Sequence, residues 1–205
     1  MKKQIVLLAL LVFTSFSYGQ KLKVQKGNFS FLKGQKEINV EFVYDNMTLY
    51  KDNKSNEQYM IKRSKELEEK ARGKGKAWEK KWISSRENIY APKFLELINI
   101  YLKKKKKNVY YGENLSDAKY TLIVETVWVY PGYNIGIMKK GAKVSTKLTF
   151  VETENRDNTL LIITAKNAPG DTYMGSFSNE DRIGEAYAKT GKSLIGLLLK
   201  KAYKK

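Results

Sequence analysis

The segment 120–130 alternates between two sets of side chains at the period of two that a β-strand requires. One face would carry Tyr120, Leu122, Val124, Thr126, Trp128 and Tyr130, and the other Thr121, Ile123, Glu125, Val127 and Val129. The pair Pro131-Gly132 then marks a turn that ends the strand. This pattern commits the middle of the chain to a β-sheet.

Four shorter patterns predict the other strands. Apolar residues at 29–32 and alternating residues at 38–44 predict two strands joined by a turn. The second strand is expected to end near residues 47–50. Residues 144–152 and 160–166 flank a short polar loop that favours a hairpin. Neighbouring strands are therefore expected to run antiparallel.

The helices are predicted from their ends. Ser55 and Gln58 have the spacing of a capping box, so a helix should begin at residue 56. Gly73 and Gly75 each cost about 1 kcal/mol inside a helix and predict a kink or a break. Pro92 fits the first turn of a further helix that continues to about residue 105.

A last helix is predicted over residues 179–202. Ser178 and Asp181 resemble its N-terminal cap, and apolar residues recur at helical spacing after them. Gly184, Gly191 and Gly196 interrupt this helix, and we expect them to allow it to approach the sheet closely. Together these elements predict one α+β domain, with an antiparallel sheet of four to five strands and helices on one face.

The first nineteen residues have the organisation of a secretory signal peptide. Lys2 and Lys3 precede the apolar run 5–13, and Ser17 and Gly19 place small residues before the expected cleavage site. This run is too short for a membrane span, which takes about 20 residues. The chain has no cysteine to carry a lipid anchor. We therefore expect an exported, soluble domain at residues 20–205, periplasmic or secreted and not a lipoprotein.

Composition excludes many chemistries. The chain contains no histidine and no cysteine, which removes histidine bases, thiol nucleophiles and the metal sites built from these residues. No catalytic motif or cofactor site is predicted. The formal charge of +18 favours anionic partners, and excess lysine can equally serve solubility. Five consecutive lysines at residues 103–107 are interpreted as the basic end of a helix.

Residues 186–193 match a loose form of the phosphate-binding loop, with Ala186 in place of the first glycine. We predict that this segment lies inside the last helix, where the backbone amides are already bonded to carbonyls and cannot face a phosphate. Neither nucleotide nor nucleic acid is expected as a partner, the latter because an exported protein rarely meets it.

The segment that joins the long strand to the next one is the candidate binding site. Apolar side chains on such a loop either fold back on the core, by extending both strands, or contact a partner. The candidate contacts are Tyr133, Asn134, Ile135, Met138, Lys139 and Lys140, and Ile137 lies among them.

Residues 117–122, 131–136, 150–152 and 182–192 resemble a group of uncharacterised exported bacterial proteins. The order of elements is also loosely similar to the amino-terminal domain of TolB and to lipopolysaccharide-assembly accessory domains. The resemblance implies an envelope compartment and a fold, and no activity or site residue.

The function predicted from the sequence is that of a non-enzymatic binding or accessory protein of the bacterial cell envelope, with an envelope protein as partner. One alternative is peripheral attachment to anionic lipid or glycan. Such attachment would weaken steeply with salt. A second alternative is a histidine-free hydrolase that uses carboxylates, which would need two acidic side chains in one deep pocket.

Overall fold

The computed structural model describes residues 20–135, 138–171 and 178–204. Its strands are β1 (Lys21–Gly27), β2 (Glu37–Val43), β3 (Thr48–Leu49), β4 (Lys54–Ser55), β5 (Tyr110–Gly112), β6 (Tyr120–Tyr130), β7 (Tyr133–Ile135), β8 (Met138–Lys140), β9 (Ala142–Glu152) and β10 (Thr159–Gly170). Its helices are α1 (Asn56–Glu68), α2 (Lys74–Ser85), α3 (Ala91–Lys104) and α4 (Asn179–Lys201), with a π-helical turn at Arg86–Tyr90. The predicted signal peptide lies outside the described residues.

Eight strands form one mixed sheet. Its main order is β1-β10-β9-β6-β2-β5, and β3 pairs with β6 and with β4. β2 runs parallel to β5 and β6, and β3 runs parallel to β6. The pairs β1–β10, β10–β9, β6–β9 and β3–β4 are antiparallel. β7 and β8 form a separate sheet of two antiparallel strands.

The predicted antiparallel sheet of four to five strands is therefore wrong. Helices α1, α2 and α3 lie between β2 and its neighbours β5 and β6 along the chain. Such a helical crossover returns the chain to the same end of the sheet, so that the strands it connects run parallel. Alternation of side chains defines the two faces of a strand and does not reveal the direction of its neighbour.

The start of the chain also differs from the prediction. The expected strand at residues 29–32 is a 3-10 turn, Ser30–Leu32, whose Leu32 is fully buried. A strand that was not predicted, β1, precedes this turn and pairs with β10 at the edge of the sheet. β1 escaped prediction because, as an edge strand, it is mostly exposed and lacks an apolar face.

Helices α3 and α4 cover one face of the sheet. Phe42 of β2 meets Phe94 of α3 edge to face, with ring centroids 5.5 Å apart. Thr126 of β6 shares a hydrogen bond with the buried hydroxyl of Tyr187 on α4. The buried residues of this face include Val40, Leu122, Val124, Leu148, Phe150, Leu161 and Ile163. On the opposite face Glu125, Lys147, Thr149 and Thr164 stay partly exposed.

The predicted helix caps are confirmed. The Ser55 hydroxyl accepts from the Gln58 amide at 3.1 Å, and the Gln58 side chain accepts from the Ser55 amide at 3.1 Å. The Ser178 hydroxyl accepts from the Asp181 amide at 3.4 Å. Both short-range patterns therefore set where α1 and α4 begin.

The predicted break between helices is confirmed at Gly73, which has a φ of 83°. The Glu68 carboxylate accepts from the amides of Gly73 at 2.7 Å and Gly75 at 3.0 Å. These two hydrogen bonds lower the pKa of Glu68. The carboxylate thus stays ionised and caps the start of α2, where a negative charge is favourable.

The glycines of α4 have a different role from the predicted one. A β-carbon at Gly191 would lie 2.4 Å from the carbonyl oxygen of Phe94, and one at Gly184 would lie 2.6 Å from Cγ2 of Ile89. These two glycines therefore let α4 approach the helical layer, not the sheet. Residues 186–193 lie inside α4, so the predicted helical placement of that segment is confirmed.

Candidate functional site

A cleft of about 570 Å³ lies between the segment that follows β3, one side of α1 from Tyr59 to Glu66, the end of β6 and strand β8. We name it the tyrosine cleft after the three rings that line it, Tyr50, Tyr59 and Tyr130. Its remaining lining residues are Lys51, Asp52, Lys54, Lys62, Arg63, Glu66 and Lys140.

The sheet brings two of these rings together. Leu49 of β3 pairs in parallel with Val129 of β6, so Tyr50 arrives beside Tyr130. Their ring centroids are 5.6 Å apart and the rings are perpendicular, at 90°. Tyr59 on α1 lies 5.6 Å from Tyr50 on its other side. The Tyr50 and Tyr59 rings are tilted by 59°, and aromatic contacts at these distances are favourable, so the three rings form one aromatic wall.

Tyr50 has an unusual backbone conformation, with a φ of 60°. A bulky residue is rare in this left-handed region, which costs of order 1–3 kcal/mol. Two hydrogen bonds hold it there: the Tyr50 amide donates to the Val129 carbonyl at 3.1 Å, and the Trp128 indole donates to the Tyr50 carbonyl at 2.7 Å. Backbone strain of this kind is common at binding and active sites, and Tyr50 is the one aromatic residue among the described non-glycine residues with positive φ.

The cleft is positively charged. Five lysine and arginine side chains line it against two carboxylates, a balance of +3. Asp52 pairs with Lys54 at 2.5 Å, and Glu66 pairs with Arg63 at 3.1 Å and Lys62 at 3.9 Å.

The two other basic side chains of the cleft are those of Lys51 and Lys140. Lys51 and Lys140 form no ion pair with any described residue. The Lys140 ammonium lies 5.2 Å from the centre of the Tyr130 ring, within cation–π range. These two side chains can therefore neutralise an incoming anion.

The ionisation states of the cleft suit anion binding. Burial raises the pKa of Tyr50, Tyr59 and Tyr130, so all three remain neutral phenols. The Tyr59 hydroxyl is hydrogen-bonded to that of Tyr50, which leaves the Tyr50 and Tyr130 hydroxyls to donate to a ligand. The hydrogen bond from Lys54 lowers the pKa of Asp52, so this carboxyl is ionised and cannot serve as a general acid. The arrangement offers donors and positive charge around an apolar wall.

The six predicted contact residues all lie on the β7–β8 hairpin. Tyr133 is 40% exposed, Ile135 62% and Met138 55%. Asn134 and Lys139 are register partners, as are Tyr133 and Lys140. The hairpin follows the antiparallel pair of β6 and β9 as a separate sheet, so the strands continue as the core interpretation allowed. Five of its six predicted contact side chains are exposed and Asn134 is half-buried, so none of them joins the buried core. Ile137 lies outside the described residues.

Of these six residues, Lys140 lines the tyrosine cleft. The cleft itself was not predicted, because its aromatic wall joins Tyr50, Tyr59 and Tyr130, which belong to three separate elements. The left-handed conformation of Tyr50 is also invisible in the sequence, since tyrosine does not favour it. Only the parallel pairing of β3 with β6 brings these parts together.

Besides the tyrosine cleft, whose Asp52 and Glu66 are both ion-paired, two carboxylates also meet in a concavity of about 720 Å³ that includes Glu41 and Glu113. Burial and, to a smaller extent, the charge of Glu87 raise the pKa of Glu113. Both oxygens of Glu41 accept from Arg156, at 2.7 and 2.9 Å, and one also accepts from Asn39 at 3.2 Å. A carboxylate held in this way is poorly placed to act as a nucleophile or base.

Within the described ranges, no group of three or more acidic side chains is placed to hold a metal ion. The same residues include no helix that is both long and apolar enough to cross a bilayer.

Comparison with known proteins gives little. No protein-family model and no curated protein matches the sequence. A solved PelC dodecamer from Paraburkholderia phytofirmans is similar at 13% identity over 89% of this chain and 99% of that chain, with a TM-score of 0.37. A variant of the same dodecamer gives 10% identity, coverages of 88% and 95%, and a TM-score of 0.35. Likenesses this distant carry no argument about fold or function.

Proposed function

We propose that the protein is a non-enzymatic binding protein of the bacterial cell envelope, and that the tyrosine cleft binds an anionic group of its ligand. The observation that carries this proposal is the charge of +3 around three tyrosine rings. A concave site with a largely apolar wall and a few convergent polar groups is the usual form of a ligand site.

Each part of the cleft has a role in this binding. The ammonium groups of Lys51 and Lys140 attract the anion, since neither is engaged by a described carboxylate. The Tyr50 and Tyr130 hydroxyls can donate hydrogen bonds to it, and the rings supply contact area at little cost in conformational entropy. The exposed hairpin side chains Ile135 and Met138 remain our proposed contact with a larger partner.

Binding of small charged sugars tests the cleft. We expect glucuronate or glucose 1-phosphate to bind to the full mature chain, and glucose to bind far more weakly, in isothermal titration calorimetry. The double variant Lys51→Ala, Lys140→Ala should weaken binding about tenfold, because two charge-assisted contacts are lost.

A matched control is the double variant Lys104→Ala, Lys105→Ala, which removes the same charge at the exposed end of α3. It should leave the affinity unchanged. Equal binding of all three sugars, or of none, would contradict the proposal. An equal loss in both variants would show that net charge alone attracts the probes.

The envelope location depends on the predicted signal peptide at residues 1–19. We expect N-terminal sequencing of the protein from its native cells to begin at Gln20. A sequence that begins at Met1 would remove the basis for an envelope function and restore cytoplasmic anions as candidate ligands.

A further inference from the structure

A second, larger concavity lies on the sheet face that α3 and α4 leave uncovered. It has a volume of about 1040 Å³ and extends across β1, β10 and β9. We name it the lysine groove after its four exposed lysines, Lys21, Lys23, Lys143 and Lys166. Within the described part of the chain no carboxylate lines it, and none of the four lysines forms an ion pair.

The register of the strands places these charges against one another. Lys21 of β1 lies directly opposite Lys166 of β10, so both side chains project from the same face. Like charges at directly opposite positions destabilise a strand pair. An anion bound between these two ammonium groups removes this repulsion, so the arrangement favours the occupied groove.

The groove is elongated. It continues into a neighbouring concavity of about 400 Å³ that shares Thr164 and Lys166 and contains Trp128 and Lys147. The Trp128 indole is fixed by its hydrogen bond to the Tyr50 carbonyl. Lys147 pairs with Glu125 at 3.4 Å, so the unpaired positive charge is that of the four groove lysines, which lie on β1, β9 and β10. This charge extends over three strands and leads to one fixed aromatic ring, which fits a linear polyanion better than a single small anion.

We propose that the lysine groove binds an acidic polysaccharide, a chain of uronate sugars whose carboxylates contact the lysines while one ring packs on Trp128. Nucleic-acid sites favour arginine and several aromatic rings for successive bases, and this path has lysines and one ring. A bilayer presents a flat surface that does not enter a concave groove. This site lies apart from the tyrosine cleft and shares none of its lining side chains, although the Tyr50 carbonyl holds the Trp128 indole.

An oligogalacturonate long enough to span the groove is the probe, and the same oligomer with methyl-esterified carboxyls is its neutral control. The variant with Lys21, Lys23, Lys143 and Lys166 all changed to serine should bind the acidic oligomer roughly 10- to 100-fold more weakly. A variant with serine at residues 103–106 loses the same charge and should bind as the unchanged protein does. Glucuronate binding in the cleft should persist in both.

The variant Lys21→Glu distinguishes a loss of binding from a loss of folding stability. It places opposite charges at the Lys21–Lys166 position, so the thermal midpoint should hold or rise while oligogalacturonate affinity falls. Equal losses in the groove and control variants would overturn the proposal, as would equal binding of the esterified oligomer. Tighter binding of oligothymidylate or of phosphatidylglycerol vesicles would assign the groove to nucleic acid or to a membrane instead.

Discussion

Replacement of Trp82 by alanine should lower the free energy of unfolding by about 3–5 kcal/mol, the usual range for a large buried aromatic side chain. Trp82 belongs to α2, is 2% exposed, and packs against α1. Its indole donates to Asn56 Oδ1 at 2.9 Å, and its ring contacts Tyr59 at 5.2 Å and Trp78 at 5.6 Å. The change therefore creates a cavity and leaves the Asn56 acceptor without its donor.

Trp78→Ala is the matched control, because Trp78 stacks on the same ring and is only half-buried. We expect it to cost about 1–2 kcal/mol, since less apolar area is removed from contact. Urea unfolding followed by far-UV circular dichroism gives both values. Equal losses in the two variants would show that Trp82 does not anchor α1 to α2. Since Tyr59 rests on Trp82, Trp82→Ala should also weaken ligand binding in the tyrosine cleft.

Gly191→Ala should destabilise the protein by about 1–3 kcal/mol, although alanine is the better helix former. The new methyl group would lie 2.4 Å from the carbonyl oxygen of Phe94 and 3.2 Å from its carbon. Both are backbone atoms of α3, so no side-chain rotation can relieve the overlap. The two helices would have to move apart, and the packing of α4 on β9 and β10 would loosen with them.

Gly196→Ala gives the opposite expectation in the same helix. A β-carbon at Gly196 meets no described atom within 4 Å, so the gain in helix propensity should stabilise the protein by about 0.5–1 kcal/mol. Thermal and chemical unfolding of the two variants should therefore shift in opposite directions. Stabilisation by both substitutions would mean that α3 and α4 are less closely packed at Gly191 than the structure has them.

The elements that were predicted correctly are those specified by residues within or next to them. The alternation over residues 120–130 became β6, and the capping positions Ser55 and Ser178 became the starts of α1 and α4. The predicted faces of β6 are wrong after Thr126, because a bulge before Trp128 reverses the alternation and places Trp128 on the uncovered face and Val129 in the core. The short polar loop at 154–158 joins β9 and β10 as an antiparallel hairpin. In each case the residues that specify the element lie within a few positions of it.

The residues that form the parallel strand pairs and the tyrosine cleft are far apart along the chain. β2 reaches β6 only after three helices, and Val40 pairs with Leu122 across that interval. The cleft needs the same arrangement, because β3 carries Tyr50 to the end of β6. Lys140 was predicted from its place in a loop, whereas Tyr50 and Tyr130 could not be connected to it without the sheet.

The exposed edge strand β1 has a further consequence for how copies of this protein behave together. An unpaired strand edge is a template on which a second chain can add, and this growth leads to fibrils. β1 carries three exposed, positively charged side chains, those of Lys21, Lys23 and Lys26. A bulge between Val24 and Lys26 also interrupts its regular ladder of hydrogen bonds. Two such edges repel each other, so the lysines that border the groove also keep the sheet from growing beyond one molecule.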